Sequence, residues 1–321
     1  MGLWQKLLGW LNPSAPTAAH APSIEAPSPD AAVAPGLESR FGVAQEPAFD
    51  TGVELTRPKP VAAEDALHAT PADEAAERPQ PDLPDATAPQ EGEGVPPAIN
   101  NQTLRDVLST YAGMAWDRQI DFAETVGDRP WSADTSQGTI QFGDDLRFRM
   151  QVLGSYAFQS GTWQWIWANT QAEVAPACTE VARQLVGLGQ AQQLPLFTDP
   201  RTELREEDLH VIGLIAAGAD ECAGYYLGNY GDGILLALID PGHGLPSAAI
   251  GRPERVLTVV PQLISQFALN HRLLLRHYLE AKGFVLQETA TQITGRLGTH
   301  RIVAELDDQG RMTALNGHLA A

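Results

Sequence analysis

Apolar residues recur with helical spacing over residues 103–124: Leu104, Val107, Leu108, Tyr111 and Met114, extended by Ile120 and Phe122. The period then switches to two. Residues 131–134 and 139–142 read as short strands around a Ser136-Gln137-Gly138 turn. Over 146–152, Leu146, Phe148, Met150 and Val152 take one face and Arg147, Arg149 and Gln151 the other. Gly154 is expected to interrupt this run. A turn near Ser160-Gly161 leads into a further strand, and the succession predicts an antiparallel meander.

Helical patterns return at 174–190 and 203–218. Glu203, Glu206, Glu207 and Asp208 would form an acidic first turn of the second. Residues 225–227 and 234–239 flank NYGDG and predict a hairpin. Two helices follow, over 253–266 and 270–282. Asn270 is placed as N-cap, Gly283 just past the end, and Lys282 where it would complement the last carbonyls. The chain closes with strands at 284–289, 292–297, 300–306 and 311–316, with Asp307-Asp308-Gln309-Gly310 as a turn. Residues 100–321 are thus expected to be one α+β domain, antiparallel sheet packed against helices.

The upstream chain follows neither period. In residues 1–12, Leu3, Leu7 and Leu11 recur every fourth position, flanked by Trp4 and Leu8, with Gln5 and Lys6 opposite and Pro13 ending the pattern. So short a helix needs a surface: a membrane interface, a partner's groove, or its own domain. Residues 13–99 are dominated by Pro, Ala, Asp and Glu, and predict a disordered tether spanning roughly 50 Å. An island at 40–49 (RFGVAQEPAF) is a candidate partner motif. No run approaches the ~18 apolar residues of a membrane span. The start lacks a cleavage pattern, and Lys6 stands where myristoylation after Gly2 would call for Ser or Thr. A cytoplasmic protein is expected, peripheral at the inner membrane face if the anchor takes lipid.

Charge narrows the partners. The formal net charge is −19. Residues 1–100 hold 15 acidic and 5 basic side chains, and residues 101–321 hold 25 and 16. Such a field repels polyphosphates, so no nucleic-acid partner is expected. Cys178 and Cys222 form no C-x-x-C pair and are expected as reduced, buried thiols. No P-loop occurs, and Lys282 is the only lysine beyond residue 100. The glycines of 228–233 precede a strand and do not match a dinucleotide fingerprint. Neither H-E-x-x-H nor G-x-S-x-G is present. No cofactor and no metal is expected.

Four histidine settings remain. His210 shares a helix face with Glu206 and Glu207, and a solvated ion pair is preferred there to a metal site. His271 and His277 read as helix-surface residues, and His300 only begins a strand. His243, in DPGHG, sits in a flexed loop that reads first as a plain turn, and otherwise as a catalytic candidate, a general base with Asp240 or Asp232 as its orienting carboxylate. The densest aromatic signal is SGTWQWIWAN. On a strand Trp163, Trp165 and Trp167 share a face with Asn169 at its end, either a core layer or an exposed platform for a ligand.

The WSADTSQGTIQFG pair, the QVLGSYAFQSGTWQWIWAN strand, the LHVIGLIAAGADECAGYYLGNYGDG segment and the VVPQLISQFALNHRLLLRHYLEAKGF helices together resemble an uncharacterised bacterial family of unknown function, over about residues 102–286. The Gly-x-Trp-x-Trp-x-Trp-Ala-Asn core is the most specific part. The resemblance implies an α+β bacterial cytoplasmic domain and brings no activity. The expected role is a non-catalytic interaction module, tethered by the linker to a membrane- or partner-docking peptide. The alternative is a small-molecule-binding or hydrolytic domain with its site near the Trp strand and the 232–243 loops. A third reading, from acidity, is an immunity-like protein with a basic partner.

Overall fold

The computed structural model describes residues 101–240 and 252–319. The docking peptide (Leu3, Trp4, Leu7, Leu8, Leu11), the 13–99 linker and its island, and His243 lie outside the described residues.

Helix α1 (Gln102–Val126) starts where the Asn101 side chain accepts the N–H groups of Thr103 and Leu104. Gly127, at φ +60°, ends it. Its apolar positions Leu104, Leu108, Ala112, Ala115, Trp116 and Ile120 are all core. The meander follows as β1 (Trp131–Asp134), β2 (Thr139–Phe142), β3 (Leu146–Ala157) and β4 (Thr162–Trp165). Next come α2 (Glu180–Gln192), a one-turn α3 (Pro195–Thr198), β5 (Arg201–Glu203), α4 (Leu209–Ala219) and the hairpin β6 (Gly224–Asn229) and β7 (Gly233–Ile239). Helices α5 (Val256–Gln266) and α6 (His271–Ala281) lead to β8 (Val285–Glu288), β9 (Gln292–Leu297), β10 (His300–Leu306) and β11 (Met312–His318).

Two antiparallel sheets result. In the seven-stranded sheet, β3 is the hub: it pairs with β2 along its first residues, with β4 along its last, and with β7 from Met150 to Ala157. The four-stranded sheet runs β11-β10-β9-β8. It turns Ile293, Ile302, Ala304 and Leu306 into the core shared with α5 and α6. A smaller cluster joins the end of α1 (Phe122, Val126) to Ile140, Phe142, Phe148 and Met150. The α+β architecture and the alternation along 146–152 are as expected.

Three local expectations are corrected. Gly154 does not break β3; it lies inside the strand, at a register irregularity against β7. A Cβ there would stand 2.3 Å from the Gln164 carbonyl and 2.7 Å from the Trp163 ring, so glycine lets the indole lie across the strand. The helix expected at 203–218 begins only at Leu209, because Arg201–Glu203 are drawn into pairing with β4. Asp208 then accepts the Arg205 backbone N–H, closing a turn before the helix. Finally, the Trp strand ends at Trp165, and Ile166–Ala168 form a 3-10 turn. Among the described residues no helix is long and apolar enough to cross a membrane.

Candidate functional site

A concentration of charge lies inside the fold. Asp117 and Asp121, one turn apart on α1, share a face. Asp117 is 1% exposed and accepts from Lys282 Nζ at 2.7 Å and the Tyr278 hydroxyl at 2.8 Å, with Arg255 Nε at 3.8 Å. Asp121 takes hydrogen-bonded ion pairs from Arg252 and Arg255. Lys282, whose side chain is 0% exposed, also lies 5.5 Å from the centre of the Tyr278 ring. Expected to complement the last α6 carbonyls from the helix end, its ammonium reaches Asp117 inside the fold. It turns inward because Gly113 on α1 lets α6 approach until a Cβ there would stand 2.5 Å from Tyr278 Cβ. Burial and the Asp117 carboxylate push the Tyr278 phenol well above its ordinary range, so it stays a neutral donor. Two carboxylates, three cations and a phenol from opposite ends of the domain therefore neutralise and hydrogen-bond one another. Chemically this lock holds α1, the 252–255 turn and α6 together.

A second buried polar group faces the hairpin. Gln119 on α1 accepts the Tyr225 N–H at 2.8 Å and donates to the Tyr225 carbonyl at 3.0 Å, imitating a neighbouring strand. His210 Nδ1 and the Tyr225 hydroxyl share a 2.7 Å hydrogen bond. The expected solvated pairing of His210 with Glu206 and Glu207 is thus replaced by a buried contact, since the late start of α4 turns the ring toward β6. His271 is likewise a packing residue. Its Nδ1 accepts the Met312 N–H at 2.9 Å, and burial holds its pKa below the ordinary histidine value.

Trp163 and Trp165 are 0% exposed and meet edge to face at 5.3 Å. The Trp165 indole donates to the Leu196 carbonyl at 2.9 Å. Trp167, carried out of register by the 3-10 turn, stacks on Trp165 at 6.4 Å. Asn169 is half-buried and engaged in the following turn. The three rings do not line one open face: the first two are core, and the strand ends before the third. Among the described residues, the indole N–H groups of Trp163 and Trp167 have no hydrogen-bond partner.

Of the catalytic candidates, Asp240 follows β7 with Arg149 at 3.9 Å, and burial lifts its carboxyl above the ordinary range. Asp232 is exposed on the β6–β7 turn. Its carbonyl accepts the Phe158 N–H at 3.2 Å, tying that turn to the β3–β4 turn. Phe158 (38% exposed) and Tyr230 (45% exposed) stand on these two turns. The β5–α4 connection joins the same end, through Tyr156 donating to the Leu204 carbonyl and Leu204 N–H to the Gly161 carbonyl. Glu206 and Glu207 on this connection push the Tyr156 phenol up, after burial, as Asp232 does Tyr230. Two open aromatic side chains among carboxylates form the patch that sequence reasoning missed. The turn dipeptides flagged it only as a hairpin tip.

Cys178 and Cys222 are buried free thiols, and burial raises both. No cluster of metal-ligating side chains occurs among the described residues. No curated protein and no solved structure matches the chain. Residues 105–241 match the model of a family of unknown function (DUF6882), a shorter span than the resemblance implied.

Proposed function

We propose that the domain is a non-catalytic binding module for a cationic protein segment. Residues 1–12, on the 13–99 tether, would bring it to a membrane surface or a partner. The observation that carries this reading is that Phe158 and Tyr230 stand exposed on two hydrogen-bonded turns, with Asp232 near Tyr230 and with Glu206 and Glu207 on the connection tied to the same end through Tyr156. An aromatic face attracts Lys or Arg by about 0.5–1 kcal/mol at an exposed site, and surrounding carboxylates add long-range attraction that salt screens. The same carboxylates disfavour nucleic acid. A fluorescently labelled Lys/Arg-rich peptide titrated against the full chain should bind more weakly to Phe158→Ala/Tyr230→Ala by about tenfold, from two cation–π contacts. No binding to the wild type, or equal affinity for the double variant, refutes the reading. Removing residues 1–12 should abolish recovery with vesicles or partner while leaving peptide affinity unchanged.

A second reading, a small-molecule or hydrolytic site near the Trp strand and the 232–243 loops, draws on the raised Asp240 carboxyl. Asp240→Asn and His243→Ala should each then abolish turnover in an ester- and phosphoester-hydrolysis screen. Turnover unchanged in both ends that reading.

A further inference from the structure

Strand β11 is an edge of the four-stranded sheet. An antiparallel edge leaves alternate N–H and C=O groups directed away from its own sheet, and such edges are ordinarily guarded by charge, proline, shortness or a cover. The other edges are guarded. β5 has three residues and carries Arg201 and Glu203; β1 has four and carries Asp134. β8 ends at Glu288, held by Arg272 and Arg276. β6 has Tyr225 capped on both backbone groups by Gln119. β11 runs Met-Thr-Ala-Leu-Asn-Gly-His for seven residues with no Lys, Arg, Asp, Glu or Pro. Its register irregularity is confined to its first residues, where His271 accepts the Met312 N–H.

Beside this edge runs an apolar seam. Leu257 on α5 and Met312, Leu315 and Leu319 are half-buried at the core margin, and Gly317 fits against Leu257. Charge points to what covers it. The chain carries −19, yet residues 284–321 hold four acidic side chains and three arginines, a net of −1. Self-repulsion between two copies is therefore small across this sheet. The strand is also complementary to itself. Leu315 is its midpoint, so antiparallel pairing past the His271-held Met312 sets Leu315 against Leu315, Ala314 against Asn316 and Thr313 against Gly317. No like charges meet at any of these positions.

We propose that β11 pairs antiparallel with β11 of a second copy about a two-fold axis at Leu315. The two four-stranded sheets become one of eight strands, and the seam closes from both sides. A contact of this size belongs at the small end of specific interfaces, with a dissociation constant on the order of 10 µM.

Sedimentation velocity of the full chain over a range bracketing that concentration tests it. The wild type should pass from monomer to dimer. Ala314→Asp with Asn316→Asp sets carboxylate against carboxylate twice and should weaken the dimer about tenfold or more. Ala314→Lys with Asn316→Asp occupies the same positions with opposed charges and should restore it, with near-ultraviolet circular dichroism unchanged in both. A wild type that stays monomeric overturns the proposal. So does a dimer indifferent to the two aspartates, or one that the complementary pair fails to recover.

Discussion

Lys282→Met is the sharpest test of the buried lock. Lys282 is the one cation within 3 Å of Asp117 among the described residues. Without it, the carboxylate keeps the Tyr278 hydroxyl at 2.8 Å and Arg255 Nε at 3.8 Å, at 1% exposure. Water cannot replace the lost partner there. Breaking one side of such a pair costs about 3–5 kcal/mol. A domain of this length loses about 2–4 °C of Tm per kcal/mol, so the midpoint should fall by about 6–20 °C. The origin of the loss is separable. Asp117→Leu, Lys282→Met and Tyr278→Phe together remove the charges and the phenol while retaining apolar volume, and Arg255 keeps Asp121. If the cost is an uncompensated buried charge, the triple variant should recover most of the stability lost in the single one. Urea unfolding of the full chain, followed by far-ultraviolet circular dichroism, gives both numbers. A single-variant loss below about 1 kcal/mol, the range of an exposed pair, would refute the reasoning. So would a triple variant less stable than the single.

Other expectations follow from the packing. Gly154→Ala drives a methyl group into the Gln164 carbonyl and the Trp163 ring, and should cost about 1–3 kcal/mol in urea unfolding with altered tryptophan emission. His271 is held neutral in the fold, its pKa lowered by burial. Its contribution is therefore complete above the ordinary value of about 6.5 and is lost as pH falls through that value toward the lower folded-state pKa. The stability margin of wild type over His271→Ala should shrink on going from neutral to mildly acid pH, and a constant margin contradicts the Met312 contact. With Trp4, Trp10, Trp131 and the half-buried Trp167 replaced by Phe, the remaining emission should resist acrylamide, since Trp116, Trp163 and Trp165 are buried. Strong quenching in the folded chain would contradict their placement.

Much of the fold was legible because local period and tertiary role agree. Leu146 to Val152 alternate in the sequence and in the sheet. The Asn270 side chain caps α6 by accepting the Leu273 N–H, and the four C-terminal strands fall where alternation places them. The failures have one physical cause, long-range pairing that local pattern does not encode. Glu203 has the composition of a helix first turn, yet its segment is claimed by β4. Trp167 fits the strand period, but the strand stops two residues earlier. Lys282 looked like a helix-end lysine because its partner lies 165 residues upstream. The signal that was present is the i,i+4 pair Asp117 and Asp121, set beside the core positions Trp116, Ile120 and Phe122 of α1. Two carboxylates facing inward require cations from somewhere, and the 252–255 turn and the one lysine beyond residue 100 supply them.

The lock also sets when the domain can form. Its carboxylates belong to the segment that matches the family model, and its cations and phenol lie beyond that segment. A ribosome adding about 5–20 residues per second leaves Asp117 waiting about 8–33 s for Lys282 to be made. During that interval α1 has no neutralising partner for the face it must bury, and the hub strand β3 lacks β7 for much of it. The meander should therefore mature late, with apolar sheet open on the nascent chain until its last third is synthesised. A fragment ending at residue 241 would lack every cation that pairs with Asp117 and Asp121, and should be a chaperone client rather than a stable domain.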